Sequence, residues 1–144
     1  MTHTAAMDFV DTNVLLYAVS TDKRERKKAE RARKLLERDD LALSVQVLQE
    51  FYVQATRANK ADRITHEQAS QLIEAFLRFR VQDMTVAIMT SALESKQRFQ
   101  ISYWDAAIVE AARMLGCRVL LTEDLNDGQD YGGITARDPF SETW

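Results

Sequence analysis

Cysteine, proline and glycine are scarce in this sequence: its 144 residues include one Cys, one Pro and four Gly. A lone thiol, Cys117, cannot close an internal disulfide, and a reducing, cytoplasmic home is expected. So few Pro and Gly argue against an all-β sandwich full of tight turns, and against collagen-like or low-complexity structure. Histidine is also rare. His3 and His66 are the only two, one in the N-terminal leader and one in a predicted first helical turn, which makes a zinc site a poor reading. The longest apolar run, Val14 to Val19, has six residues, so neither a transmembrane helix nor a signal-peptide core fits and no membrane partner is expected. The phosphate-cradling G-x-x-x-x-G-K-[ST], the dinucleotide G-x-G-x-x-G and the hydrolase G-x-S-x-G are all missing.

What is present is globular: 46% apolar and 28% charged residues. The length predicts one domain over residues 7–144, after a flexible leader at 1–6. The net charge of −3 conceals an asymmetry. Residues 23–38 hold nine Lys or Arg and three Glu, a local +6, and the rest of the chain carries −9.

Short apolar segments alternate with helical patterns. Strands are predicted at 7–10, 41–43, 81–84, 118–121 and 134–136. Helices are predicted from Val14, over 22–38, over 45–58 behind the cap Ser44, from Thr65 to about Phe79, from Thr85, and from Ser102 to a stop at Gly116. Ile88, Met89, Ala92 and Leu93 are expected to face inward. Trp104, Tyr103, Phe51 and Tyr52 read as core or interface residues, and Cys117 as a core thiol. The alternation implies an α/β fold, a parallel sheet of four to five strands flanked by helices. Ligands of such folds bind beyond the carboxyl ends of the strands.

Four acids fall near those ends. Asp11 follows the first strand, Glu50 lies in the helix after the second, Asp105 is in a helical first turn, and Asp124 follows the clearest strand. Each has a bland reading: Asp11 as a turn residue, Asp105 as half of a capping box, Glu50 as a solvated helix residue, Asp124 as a loop acid. Solvated acids have no reason to share one sheet edge, however, and crowding carboxylates costs free energy that a divalent cation offsets. Hard oxygen donors without His or Cys favour Mg²⁺, with Mn²⁺ as a substitute. Asp127 is a second candidate for the fourth carboxylate.

The basic segment has its own pattern. Arg24, Lys27, Arg31, Lys34 and Arg38 are spaced three and four apart, one ridge of a helix able to track RNA phosphates. The competing reading is a solvated face laced by i,i+4 ion pairs.

Taken in order, four segments resemble the motifs of PIN-domain ribonucleases. They are Phe9-Val10-Asp11-Thr12-Asn13, Ser44-Val45-Gln46-Val47-Leu48-Gln49-Glu50, Tyr103-Trp104-Asp105-Ala106-Ala107 and Leu120-Leu121-Thr122-Glu123-Asp124. The resemblance spans about residues 7 to 140 and is greatest to VapC-type toxins of toxin–antitoxin pairs. It implies a Mg²⁺-dependent endoribonuclease, a homodimer, and a cognate antitoxin as partner. Asp11, Glu50, Asp105 and Asp124 match the family's acids; Asn13, Thr122 and Ser44 match its supporting positions. Asp11 would be the central ligand, Asn13 would orient it, Thr122 would position water, and Glu50 would ligate metal or take a proton. Two alternatives stand beside this reading. One is a non-catalytic RNA- or antitoxin-binding domain. The other is a receiver-type phosphoacceptor, which lacks its required Lys between Arg118 and the C-terminus.

Overall fold

A computed structural model describes residues 6–141. Most of the expected leader, with His3, lies outside the described residues. The elements in order are β1 (Asp8–Val10), α1 (Thr12–Ala18), a 3₁₀ turn (Lys23–Glu25), α2 (Arg26–Leu35), β2 (Leu41–Ser44), α3 (Val45–Thr56), α4 (His66–Phe76), β3 (Arg80–Gln82), α5 (Val86–Phe99), α6 (Tyr103–Met114), β4 (Val119–Leu121) and β5 (Thr135–Arg137). Among the described residues no helix is long and apolar enough to cross a membrane.

The five strands form one parallel sheet in the order β3-β2-β1-β4-β5. The central strands are nearly continuous apolar runs, as strands covered on both faces must be: Phe9, Val10, Leu41, Ala42, Leu43, Leu120 and Leu121 are all buried. This order differs from the 2-1-3-4-5 order of receiver-type folds, which removes that alternative. The chain leaves β1 towards β2 on one side and reaches β4 on the other. The ends of β1 and β4 therefore flank the point where the topology reverses, the place where α/β sheets bind ligands.

Local chemistry sets the helix ends. Ser44, Thr85 and Ser102 each accept a backbone N–H of the first turn, and Thr65 forms a full capping box with Gln68. Gly116 at φ +76° closes α6, with Gly116 and Cys117 N–H groups returning to Arg113 and Ala112. Two expectations need correction. The basic helix is shorter than 22–38, because Asp22 caps a separate 3₁₀ turn and the chain leaves helical geometry after Leu35. Met89 and Leu93 do not face inward: on α5 Ile88 is buried in the main core and Ala92 against Ala106 and Ala107 of α6, whereas Met89 and Leu93 are 44% and 56% exposed. With apolar residues at four positions of one helix, the burial of two leaves the other two outside.

Candidate metal centre

Asp11 sits one residue beyond β1 and is fixed from both sides. Its N–H extends the ladder to the Leu121 carbonyl at 3.0 Å. One carboxylate oxygen caps α1 by accepting the Thr12 N–H at 2.7 Å; the other accepts the Thr122 hydroxyl at 2.7 Å. The side chain is buried. Burial pushes its pKa up to about 7, against the pull of those hydrogen bonds, and the charges of Asp124 and Glu50 push the same way.

The other acids arrive from separate elements. Ser102 accepts the Asp105 N–H at 3.0 Å, which starts α6 and presents Asp105 half-buried. The reciprocal backbone bond of a capping box is not made, and the Asp105 carboxylate meets the Ser102 hydroxyl instead. Its pKa is raised, by burial above all, against the pull of the Ser102 hydroxyl and with a further push from Asp124. Glu50, on α3, accepts the Thr12 hydroxyl at 3.4 Å and the Gln46 amide at 3.3 Å. It too is raised, by burial first and then by Asp105 and Asp124. Asp124 is exposed and accepts the Asn13 amide at 3.1 Å. The Thr122 hydroxyl ties the pieces together: it donates to Asp11, accepts the Asp124 N–H at 3.0 Å and lies 3.4 Å from the Asn13 amide nitrogen.

One carboxylate oxygen from each of Asp11, Asp105 and Asp124 lies within 4.8 Å of the others. Glu50 flanks this triad. Among the described residues no ion pair includes any of the four acids. The Asn13 carbonyl oxygen is buried beside them with no partner among the described residues. Hard, anionic, unneutralised oxygens converging from three directions fit a Mg²⁺- or Mn²⁺-type ion. The one described histidine, His66, meets Tyr52 at 2.8 Å instead.

The remaining sequence candidates divide. Asp127 stays outside the cluster and accepts the Asp138 N–H at 2.9 Å. Ser44 is buried and caps α3 by accepting the Val47 N–H at 3.3 Å, which fixes the helix that carries Glu50. The five basic residues do not form a uniform ridge. Arg24 is paired with Asp22 at 2.8 Å, and Arg31 donates to the Pro139 and Ser141 carbonyls. Arg38 lies beyond α2 and bridges Asp8 and Asp40 at the start of β1 and β2, the far edge of the sheet from the acids. Lys27 and Lys34 have no partner among the described residues. With Arg24 and Arg31 of the same predicted ridge, and with Lys23, Arg26, Lys28, Glu30 and Phe140, they line an open groove of about 980 Å³.

Sequence reasoning missed two sets of residues. Thr12 and Gln46 both hold Glu50, and Gln46 lies four residues before it on the same helix face, a spacing that was there to be used. Tyr17, Lys28 and Glu123 come from three elements, and no local spacing connects them. Tyr17 donates to Glu123 at 2.5 Å and Lys28 donates to its other oxygen at 2.9 Å, which anchors the turn between Thr122 and Asp124.

Comparison with known proteins identifies the fold. A family model described as PIN domain matches residues 9–126. No curated protein matches the sequence. Among solved structures, a toxin–antitoxin complex from Klebsiella pneumoniae is similar at 21% identity, with a TM-score of 0.64 over 94% of this chain and 98% of that one. Mycobacterium tuberculosis VapC20, a sarcin–ricin loop cleaving toxin, is similar at 21% identity and TM-score 0.62 over 81% and 91%. DNA-bound VapBC from Salmonella typhimurium is similar at 18% identity and TM-score 0.64 over 94% and 99%. At such identities the likeness is one of fold.

Proposed function

This chain belongs to the PIN domain family, and we propose that it is a Mg²⁺-dependent endoribonuclease, the toxin of a toxin–antitoxin pair. The observation that carries this reading is the meeting of three carboxylates within 4.8 Å with no basic side chain paired to them among the described residues. Folds gain nothing from such crowding.

In this reading Asp11, Asp105 and Asp124 hold the metal and Glu50 completes the set. Mn²⁺ can replace Mg²⁺. A bound ion of this kind supplies an activated water and stabilises charge developing on the phosphate. The chain's own groups prepare the rest. Thr12 and Thr122 lock the two oxygens of Asp11 in place. Asn13 orients Asp124, and the Glu123 clamp holds the turn beneath it. Glu50, with its pKa raised by burial, is suited to take the proton from water. Lys27 and Lys34, the two ridge residues without a partner among the described residues, are placed with Lys23 and Arg26 of the same groove to meet RNA phosphates.

The partners proposed are RNA, a cognate antitoxin and a second copy of the chain, all in the cytoplasm. Several structural neighbours are themselves toxin–antitoxin complexes, which supports the antitoxin. The test is incubation of purified, antitoxin-free protein with total RNA, in Mg²⁺ or in chelator, followed by mapping of cut ends. Defined cuts that need the metal are expected. No cuts in Mg²⁺, with Mn²⁺ bound tightly by the protein, would turn the reading to a non-catalytic module.

A further inference from the structure

Trp104 immediately precedes Asp105, yet it is 61% exposed. It is neither core nor hidden in a described contact, apart from an edge-on meeting with Tyr103 at 5.0 Å. Beside it lies a cleft of about 310 Å³, lined by Gln46, Gln49, Glu50, Val53, Gln54 and Trp104. The cleft therefore begins at one candidate catalytic acid and is walled by the neighbour of another. Its inner wall is buried and hydrogen-bonded. Gln46 is 4% exposed, and its amide donates to Glu50 at 3.3 Å and to the Trp104 carbonyl at 3.0 Å.

The lining decides what fits. No basic side chain borders the cleft, and Glu50 repels a phosphate placed there. Three amides and an exposed indole instead suit a flat, neutral group with a polar edge. Proteins hold unpaired RNA bases in this way, by stacking on an aromatic ring and hydrogen-bonding the base edge. We propose that this cleft is a nucleobase subsite, in which Trp104 stacks on the unpaired base beside the phosphate held at the acids. The amides of Gln49 and Gln54 supply donors and acceptors for that base's edge. The inference rests on the nuclease reading for the path of the strand. A protein surface is the rival occupant, since exposed Val53 also borders an apolar groove with Leu77. Continuity with the acids and the run of glutamines favour the base.

The experiment uses the full chain with Trp144→Phe, so that Trp104 is the one indole left. Short single-stranded oligoribonucleotides, and the same strands made abasic, are titrated in low salt and chelator. The base-containing strand should quench Trp104 fluorescence. Trp104→Ala should weaken its binding by roughly tenfold, the scale of one stacked base, while Trp104→Phe restores most of the affinity. The abasic strand should bind weakly and equally to both variants. Absent quenching, or equal binding of the strand by the parent and Trp104→Ala, overturns the subsite. Loss of self-association in Trp104→Ala with unchanged RNA affinity overturns it in favour of a protein interface. Failure of the nuclease reading shows separately, as missing Mg²⁺-dependent cuts, because binding in chelator requires no cleavage.

Discussion

Asp8 and Asp11 stand three residues apart, one at the start of β1 and one just past its end, and have opposite surroundings. Asp8, at the entrance of β1, meets Arg38 at 2.9 Å, and the same guanidinium takes Asp40 at 2.7 Å. Asp11, at the exit, is more deeply buried and has only hydroxyl and amide donors, with Asp105 and Asp124 against it. At one edge of the sheet acids are neutralised as folding stability prefers. At the other they are gathered against one another with no basic partner among the described residues. An arrangement that costs stability persists where something other than stability selects it.

The sharpest way to break this contrast is to remove charge at the exit edge. Asp11→Asn or Asp105→Asn should lower Mg²⁺-dependent RNA cleavage by a hundredfold or more, about 3 kcal/mol of transition-state stabilisation. Mn²⁺ affinity measured by calorimetry should fall in parallel. Full cleavage by either variant would mean that the cluster is not the reactive centre.

The second effect is on the metal-free fold. Folded Asp11 titrates near 7 against 3.8 for an ordinary Asp. Between these values the native state holds the extra proton, so stability is greatest below about pH 4 in this contribution and falls as pH rises through that window. Raising the pH from about 5 to about 7.5 in chelator should cost roughly 2 kcal/mol in urea unfolding. Mg²⁺ should restore the loss at the higher pH, and Asp11→Asn should remove this part of the slope. A slope unchanged in Asp11→Asn would place the titration elsewhere.

The exit side of this contrast was legible in the sequence, and the reasons are physical. Strand ends followed by Asp, helix caps at Ser44, Thr65, Thr85 and Ser102, and the stop at Gly116 are local signals, and each stands where its chemistry demands. The acids could be grouped because a parallel sheet brings its strand ends together. Choosing Asp124 over Asp127 needed the loop's path, which sends Asp127 to the Asp138 N–H. The basic ridge was legible only in part for a related reason: Arg24, Lys27, Arg31 and Lys34 do share one groove. Helical spacing places five cations on one face, but it cannot show that Asp22, two carbonyls near the C-terminus, and Asp8 with Asp40 take three of them.

That division makes a smaller prediction about Lys27 and Lys34. Changing both to Gln should weaken RNA binding a few-fold across sequences. For single strands the log–log salt slope should become shallower by up to about 1.4, roughly 0.7 for each phosphate no longer neutralised. The cut sites should not move, because phosphate contacts position the strand and base contacts specify it. An unchanged slope would make the groove a solvated face or an antitoxin surface.

The smallest effect belongs to the entrance edge. Arg38→Met keeps the aliphatic stem and removes the charge shared by Asp8 and Asp40. All three side chains remain partly exposed, at 34%, 24% and 42%, so water screens the pairs. The cost should be about 1 kcal/mol, read as a lower urea midpoint with an unchanged m-value. Cleavage per folded molecule should match the parent, because the pair lies across the sheet from the triad. A cleavage loss comparable to that of Asp105→Asn would break the comparison itself, since it would show that the two edges act as one electrostatic unit.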